Sequence, residues 1–195
     1  HDMVKKTNGR CSIYAIRAQG LELGEEPNKD GVTALSRRYL TAIQSVWTKE
    51  GYQLAGWSFG GVLAYEMACL IREQGKHVSY LGLLDSYTPG SLKKLGLGGK
   101  KRFLSEKRLA RNFAHDLLGI DKLKLGHGKN VIEILAATPG IEEKLQGGDF
   151  SQLERLFNVY KAHNAAFFNY SPKNCDVTLH LIRAEMDNPI ETNGW

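Results

Sequence analysis

The run from Tyr52 to Gly61 limits what this chain can fold into more than any other stretch. It reads Tyr-Gln-Leu-Ala-Gly-Trp-Ser-Phe-Gly-Gly, so a G-x-S-x-G pattern at 56–60 directly follows a short apolar segment. The apolar residues after it recur at helical spacing, namely Val62, Leu63, Met67, Leu70 and Ile71. A strand, a sharp turn and a helix in this order are the context in which such a serine acts as an exposed nucleophile. The sequence therefore predicts a strand–turn–helix unit with Ser58 at its tip.

The chemistry of this turn depends on its glycines and on the helix that follows. We expect Gly56 and Gly60 to remove side chains that would clash in so tight a bend. Ser58 would then start the helix, whose free N–H groups favour negative charge. The N–H of Phe59 is predicted to donate to an oxyanion when Ser58 attacks a carbonyl. A glycine-rich turn without chemistry is the alternative, and the flanking strand and helix argue against it.

Strand and helix signals alternate along the first half of the chain. Strands are predicted at 11–16, 52–55 and 78–84, and helices from Val32 to near Gly51 and after the turn as far as Gln74-Gly75. One face of the first helix is predicted to consist of Val32, Leu35, Tyr39, Ile43, Val46 and Trp47. Later, a helix is predicted at 150–168 and a strand at 177–183. Short turns between such elements predict an α/β fold with a mostly parallel sheet flanked by helices.

Residues 88–150 interrupt this alternation within what we predict to be a single domain of residues 1–195. They resemble several short helices separated by glycines, without a strand signal. The segment begins where the strand at 78–84 ends. Because the carboxyl ends of parallel strands form the ligand-binding edge, we expect this helical insertion to lie over that edge.

Composition bounds the function further. With 195 residues and 42% hydrophobic content, the chain can build one domain with a real core. It has no apolar run long enough for a membrane helix and no apolar leader after His1, which predicts a cytoplasmic protein with no membrane partner. Cys11, Cys69 and Cys175 lie far apart, which predicts reduced thiols and no metal site. Cys69 is expected to be a small core residue.

Charge is distributed unevenly. The net charge is +5, yet the segment 91–130 holds eleven Lys or Arg and three acidic residues, which leaves −3 for the rest. Such a basic segment is typical of a site for an acidic partner or a phosphate-bearing substrate, or of a solvated helical surface, and charge alone leaves both open. Nucleic acid is the weakest candidate, because no nucleic-acid module is recognisable and few aromatic residues are available for stacking.

A serine nucleophile needs a base that an acid holds in place, and in this class of fold both follow the serine along the chain. Asp85 ends the strand after the motif helix and is the favoured acid, with a turn or helix cap as the alternative. Asp187, after the later strand, is the alternative acid. No base is assigned, because none of the six histidines follows a terminal strand: His1, His77, His115, His127, His163 and His180. We expect such lone histidines to be surface or satisfied residues.

The stretch 51–89 resembles the thioesterase domains of nonribosomal peptide synthetases and polyketide synthases. The resemblance rests on Gly-Trp-Ser-Phe-Gly-Gly at 56–61, Ala-Tyr-Glu-Met-Ala at 64–68 and Leu-Leu-Asp-Ser-Tyr at 83–87. Ile-Arg-Ala-Gln-Gly-Leu at 16–21 and Tyr-Ser-Pro at 170–172 extend it over most of the chain. It implies an α/β-hydrolase fold in which the insertion is a mobile lid.

The resemblance also implies a reaction. Ser58 would take an acyl or peptidyl chain from the phosphopantetheine thioester of a carrier protein and release it to water or to an internal nucleophile. Asp85 matches the acid of chain-terminating members, and Asp187 that of free-standing editing members. Two stretches of the family have no match in this sequence. The His-Pro-Gly-Gly stretch, which supplies the second oxyanion donor, is missing before Cys11. The stretch that carries the catalytic histidine is expected beyond Trp195. The chain is therefore expected to be truncated at both ends.

Three functions compete at this stage. The first is a carrier-protein thioesterase that binds no cofactor of its own, and the basic residues of the insertion would then meet an acidic carrier protein or the pantetheine phosphate. These residues are Lys93, Lys94, Lys100, Lys101, Arg102, Lys107, Arg108 and Arg111. The second is a general α/β hydrolase for small esters or amides. The third is a non-catalytic fragment that only docks a carrier protein. The sequence does not specify the acyl substrate, the mode of release or the oligomeric state.

Overall fold

A computed structural model describes residues 5–6, 12–49, 51–94, 105–121, 123, 130–145, 150–184, 192 and 194–195, with backbone only at 93, 94, 142 and 144. The helices are α1 (Val32–Val46), α2 (Phe59–Glu73), α3 (Pro89–Lys94), α4 (Glu106–Leu118), α5 (Val131–Ala136), α6 (Ile141–Lys144) and α7 (Phe150–Phe168). The strands are β1 (Tyr52–Trp57), β2 (Val78–Leu84) and β3 (His180–Ile182). Within these residues no helix has the length and apolar character needed to cross a membrane.

The three described strands form one sheet in the order β1-β2-β3, and both pairs are parallel. Leu54 of β1 pairs with Leu81 of β2, and both are buried. Along β1, Gln53, Ala55 and Trp57 are exposed. The side chains of β1 therefore alternate between a buried and an exposed face of the sheet.

Helix α2, which follows the serine, is the centre of the main core. Every residue from Gly61 to Ile71 is buried, because α2 packs against β1, β2 and α1. A helix that is mostly apolar on all sides, with its one buried charge, Glu66, hydrogen-bonded, is typical of such a central position. Cys69 is 5% exposed within this core and its thiol is free, as the sequence predicted.

A second apolar core lies among α4, α5, α6 and the first half of α7. Phe113, Leu135, Leu153 and Phe157 are its most buried large side chains. The second half of α7 contributes Ala166 to the main core instead. One 19-residue helix thus belongs to both cores.

Most predicted elements are confirmed, and three details were wrong. Residues 12–16 form no strand: Ile13 and Tyr14 expose 41% and 64% of their surface, and no described strand pairs with them. A β-favouring sequence without a neighbouring strand has no ladder to join. The strand predicted at 177–183 forms only at 180–182. Val46 was placed on the buried face of α1, yet it is 61% exposed and is the last residue of the helix, since Trp47 already has an extended backbone.

Candidate active site

Ser58 lies in a sharp turn between β1 and α2, as the motif predicted. Its backbone adopts φ 52° and ψ −121°, a conformation that costs a non-glycine residue on the order of 1–3 kcal/mol. The N–H of Ser58 donates to the carbonyl of Leu84 at 2.8 Å, and its own carbonyl accepts from Gly61 N at 3.0 Å and from Ser86 Oγ at 2.8 Å. The side chain of Ser58 is exposed and does not cap α2. Its hydroxyl is therefore available to a ligand.

The glycines that permit this turn are Gly56 and Gly61. A Cβ at position 56 would collide with the backbone of Gly60. A Cβ at position 61 would lie 2.5 Å from Ser86 Oγ. At position 60 an added Cβ would meet nothing within 4 Å. The expectation that Gly60 removes a clash was therefore wrong, because its α-carbon faces open space while Gly61 faces the end of the neighbouring strand.

Asp85 lies beside Ser58 at the same edge of the sheet. Trp57 and Leu84 are register partners, and Ser58 and Asp85 directly follow them. Neighbouring strands lie about 4.8 Å apart, so the two residues leave adjacent strands at the same level. Ser58 and Asp85, at φ 43°, are the two non-glycine residues with positive φ in the described ranges. The backbone strain of this edge is thus concentrated at the two predicted positions.

The carboxylate of Asp85 is oriented by the chain that leaves β3. Its Oδ1 accepts a hydrogen bond of 2.6 Å from the N–H of Ala184, and its own N–H donates to Ile182 O at 2.8 Å. The start of α3 is capped by Thr88, whose Oγ1 accepts from Ser91 N. Asp85 is therefore not the cap of that helix, which was the alternative interpretation. The alternative acid, Asp187, lies outside the described residues.

In the described ranges no histidine hydrogen-bonds to Ser58 or Asp85. His77 precedes β2 at the opposite edge of the sheet, and the exposed His115 of α4 contacts Asp116 Oδ1 at 2.9 Å. His180 stacks on Tyr80, with ring centroids 4.9 Å apart. His1 and His127 are outside the described residues. These ranges also contain no group of three or more His, Cys, Asp or Glu side chains that could hold a metal ion.

His163 of α7 is a site residue that the sequence analysis missed. Its ring stacks on that of Phe59, with centroids 4.6 Å apart and an interplanar angle of 29°. Its Nε2 is buried and has no hydrogen-bond partner among the described residues. Burial lowers the pKa of His163 to about 4, so the ring is neutral at physiological pH. The expectation of a surface or satisfied histidine was wrong, because only the fold brings α7 onto the residue that follows Ser58.

The basic residues of the insertion are only partly described. Lys107 and Arg111 are exposed on α4, and Arg108 is half-buried beside them. The side chains of the other predicted basic residues lie outside the described set, namely Lys93, Lys94, Lys100, Lys101 and Arg102. The described part of the basic segment is therefore a short surface of α4.

Comparison with known proteins gives a family match and a shared fold. The family whose model matches residues 1–110 is described as "Thioesterase domain". A dimodular nonribosomal peptide synthase from Bacillus subtilis is 28% identical over 187 residues, which covers 94% of this chain. This chain spans only 8% of the length of that synthase.

Two solved structures share the fold. A four-domain nonribosomal peptide synthetase, holo-AB3403 bound to AMP and glycine, matches 93% of this chain and 14% of its own length, with 23% identity and a TM-score of 0.69. The NocB thioesterase domain, in a covalent complex with a fluorophosphonate nocardicin G analogue, matches 86% of this chain and 59% of its own length, with 20% identity and a TM-score of 0.58. The parallel sheet with flanking helices is thus an α/β-hydrolase fold.

Proposed function

The chain belongs to the thioesterase domain family of nonribosomal peptide and polyketide synthases, and from this premise we propose that Ser58 releases an acyl or peptidyl chain from the phosphopantetheine thioester of a carrier protein. The hydroxyl attacks the thioester carbonyl, the pantetheine thiol leaves, and the chain remains as an ester on Ser58. Water or an internal nucleophile of the chain then releases it. The domain itself binds no cofactor, since phosphopantetheine enters as part of the substrate.

The observation that carries this proposal is the strained, exposed Ser58 at the N-terminus of α2, beside Asp85. The N–H groups in the first turn of a helix lack intrahelical acceptors, so that of Phe59 can stabilise the oxyanion formed at the carbonyl. Asp85 would orient the base and stabilise it once it is protonated. The bond from Ala184 fixes one carboxylate oxygen, and we propose that the other meets the base.

Covalent labelling tests the nucleophile. A fluorophosphonate should form an adduct on Ser58 that peptide mass spectrometry locates, and Ser58→Ala should abolish it. Ser91, which is buried and bonded to Thr88, offers a matched control, because Ser91→Ala should leave labelling intact. An adduct elsewhere, or none on Ser58 under conditions in which the NocB domain is labelled, would contradict the proposal.

Substrate class is tested with an acyl-pantetheine thioester and an aryl ester of the same acyl group. The proposed thioesterase should favour the thioester, because only this substrate carries the pantetheine arm through which a carrier-bound chain would be recognised, while both leaving groups need little protonation. Equal or faster release from the aryl ester would favour a general hydrolase. Labelling of Ser58 without turnover of either substrate would favour a domain that only docks a carrier protein.

We also propose that α4 contacts an acidic carrier protein through Lys107 and Arg111. Both are exposed on the same helix, four residues apart and therefore on one side of it. Charges at the rim of an interface mainly affect the association rate. The double variant Lys107→Glu/Arg111→Glu should lower kcat/KM for carrier-bound substrate about three- to tenfold and leave a small soluble thioester unaffected.

The control for this partner surface is Lys29→Glu/Arg37→Glu, a reversal of two exposed cations on the loop before α1 and on α1 itself. This control produces the same change in net charge at a surface away from α4. It should have little effect on kcat/KM for the carrier-bound substrate. Equal losses in both double variants would mean that net charge, and not the surface of α4, governs the encounter with the carrier protein.

A further inference from the structure

The last described residue, Trp195, lies against the nucleophile turn and has no part in the reaction proposed above. Its indole Nε1 donates to Ser86 O at 2.8 Å, and its ring packs on that of Tyr65, with centroids 4.7 Å apart. Tyr65 is itself fixed, because its hydroxyl donates to Lys173 O at 2.7 Å. The half-buried indole is therefore held in one orientation, between a helix of the main core and the segment after β2.

The backbone beside Trp195 is also held close to the site. A Cβ at Gly194 would collide with Thr88 Oγ1 and lie 2.7 Å from Ser91 Cβ, so this glycine packs directly on the start of α3. Its φ of 87° favours glycine as well. The N–H of Trp195 donates to Thr192 O at 3.0 Å, which closes a turn. The indole thus extends from a fixed turn.

Ser86 connects the indole to the nucleophile. It is completely buried, and its Oγ donates to Ser58 O at 2.8 Å while its own carbonyl accepts from Trp195. On one side of α2, Gly61 leaves the space that Ser86 occupies. Tyr65, four residues later and on the same side, packs on the indole. Ser86 is therefore oriented at both ends, its hydroxyl by Ser58 and its carbonyl by Trp195.

The bond to Ser58 O acts on the oxyanion donor, because the two groups belong to one peptide. The C=O of Ser58 and the N–H of Phe59 lie in one plane and point in opposite directions. A rotation that moves the carbonyl therefore moves the N–H with it. Ser58 is strained at φ 52° and ψ −121°, so this peptide keeps its direction only while the groups around it hold it. The direction of the Phe59 N–H thus depends on Ser86.

We propose that Trp195 is a positioning residue for the oxyanion donor. Its indole N–H holds Ser86, and Ser86 holds the peptide 58–59 so that the N–H of Phe59 points at the carbonyl oxygen of the substrate. This inference rests on the proposed function, because it requires Ser58 to attack a carbonyl. Since the N–H stabilises charge that develops in the transition state, loss of this support should slow the chemical step and leave substrate binding unchanged.

The kinetics of fluorophosphonate labelling at Ser58 separate the chemical step from binding. Varying the probe concentration gives the rate constant at saturation and the concentration at which half of it is reached. Trp195→Phe keeps an aromatic ring against Tyr65 and removes the N–H. It should lower the saturating rate constant about tenfold and change the half-saturating concentration less than about twofold. The loss should be smaller than that from deleting an oxyanion donor, because Gly61 N still donates to Ser58 O.

Trp47→Phe is the matched control. Trp47 is half-buried against the same core, and its Nε1 is buried without a hydrogen-bond partner among the described residues. This substitution removes the same atoms and breaks no hydrogen bond of the described chain. The labelling rate constant should stay within about twofold of the wild type. Urea unfolding identifies conditions in which all variants are folded, so that a lower rate cannot come from unfolded protein.

A double variant tests whether Trp195 acts through Ser86. Ser86→Ala removes the hydroxyl that holds Ser58 O and should lower the saturating rate constant by about the same factor as Trp195→Phe. If the two residues act in series, the double variant should be about tenfold slower than the wild type and not about a hundredfold slower.

The labelled protein gives a spectroscopic readout of the same peptide. The phosphonyl oxygen of the adduct on Ser58 takes the place of the oxyanion, so its phosphorus NMR shift reports whether Phe59 N–H still donates to it. The shift should change in Trp195→Phe and in Ser86→Ala and stay unchanged in Trp47→Phe.

The outcomes distinguish this inference from the proposed function. Equal labelling kinetics in Trp195→Phe and Trp47→Phe, a loss only in the half-saturating concentration, or a double variant about a hundredfold slower would overturn the inference and leave the thioesterase proposal standing. Absence of an adduct on Ser58 in the wild-type protein would overturn the thioesterase proposal and the inference with it.

Discussion

At the scale of single residues, the strained backbone of Ser58 is held by its neighbours and not by its own preference. The carbonyl of Ser58 accepts from Ser86 Oγ, and Ser86 is completely buried. Gly61 leaves the space that Ser86 occupies. Since strained conformations persist only when the surroundings fix them, Gly61 and Ser86 matter to the turn as much as the motif residues do.

Replacing Gly61 by alanine should therefore damage the turn. The new Cβ would lie 2.5 Å from Ser86 Oγ and 2.6 Å from Ser86 Cβ, so Ser86 must move and its bond to Ser58 O is lost. We expect a loss of about 2–4 kcal/mol in the free energy of unfolding and a much slower fluorophosphonate reaction. Gly60→Ala is the control and should be nearly neutral in both measurements. Equal effects of the two variants would contradict this account of the turn.

His163 should make folding stability depend on pH. Burial lowers its pKa from 6.5 to about 4 in the folded protein, so between these values the unfolded chain binds more protons. The stability that the folded protein has with neutral His163 is therefore intact above pH 6.5 and is lost as the pH falls toward 4. From pH 7.5 to pH 5 the wild type should lose about 2 kcal/mol more than His163→Phe does. Urea unfolding at both pH values measures the free energy of unfolding of the two proteins. Equal losses of stability in the wild type and in His163→Phe would contradict the prediction.

At the scale of helices and strands, a buried carboxylate connects three segments. Glu66 of α2 is 3% exposed and accepts from Thr33 Oγ1 of α1 and from Tyr170 OH just after α7, both at 2.7 Å. Burial, followed by the bond to Glu66, raises the pKa of Tyr170. The hydroxyl therefore stays protonated and continues to donate. The end of α7 is thus fixed to the helix that carries the nucleophile turn.

Tyr170→Phe should lower the free energy of unfolding far more than Tyr160→Phe does. The first leaves a buried oxygen of Glu66 without its donor, which we expect to cost about 1.5–3 kcal/mol of unfolding free energy. Tyr160 donates to Asp116 Oδ2 at 2.9 Å, but the side chain of Asp116 is 46% exposed, so water can replace the hydroxyl. We expect a loss below about 1 kcal/mol there. Chemical denaturation of both variants measures the difference, and similar losses would mean that Glu66 is rehydrated.

The elements that sequence predicted well are those with strong local signals. The strand 78–84 and the helix 150–168 match β2 and α7 at both ends, since apolar runs and turn residues bound them. The segment 11–16 has a similar local signal, but a strand also needs a partner, which local sequence does not reveal. The shared edge of Ser58 and Asp85 followed from topology. The contact of His163 with Phe59 did not, because it depends on how α7 crosses the sheet.

At the scale of the whole molecule, α7 contributes side chains to both apolar cores of the described residues. Leu153 and Phe157 belong to the core of the inserted helices, and Ala166 to the core around the sheet. His163 lies between them and contacts Phe59. A change in the packing of the inserted helices can therefore reach the nucleophile turn through α7, because this helix contacts both.

Phe113→Ala should loosen the inserted helices without loosening the sheet. Phe113 is fully buried and contacts Phe157 edge-on, with ring centroids 5.3 Å apart, so its truncation should remove about 3–5 kcal/mol from that core. Hydrogen exchange should show faster exchange in α4 and α5, while the amides of α2 and β2 keep their protection. Leu81→Ala, in the core around the sheet, should instead lower protection in β1, β2 and α2. If Phe113→Ala lowered protection in α2 and β2 as much as in α4, the two cores would unfold as one unit, and this would contradict their separate stability.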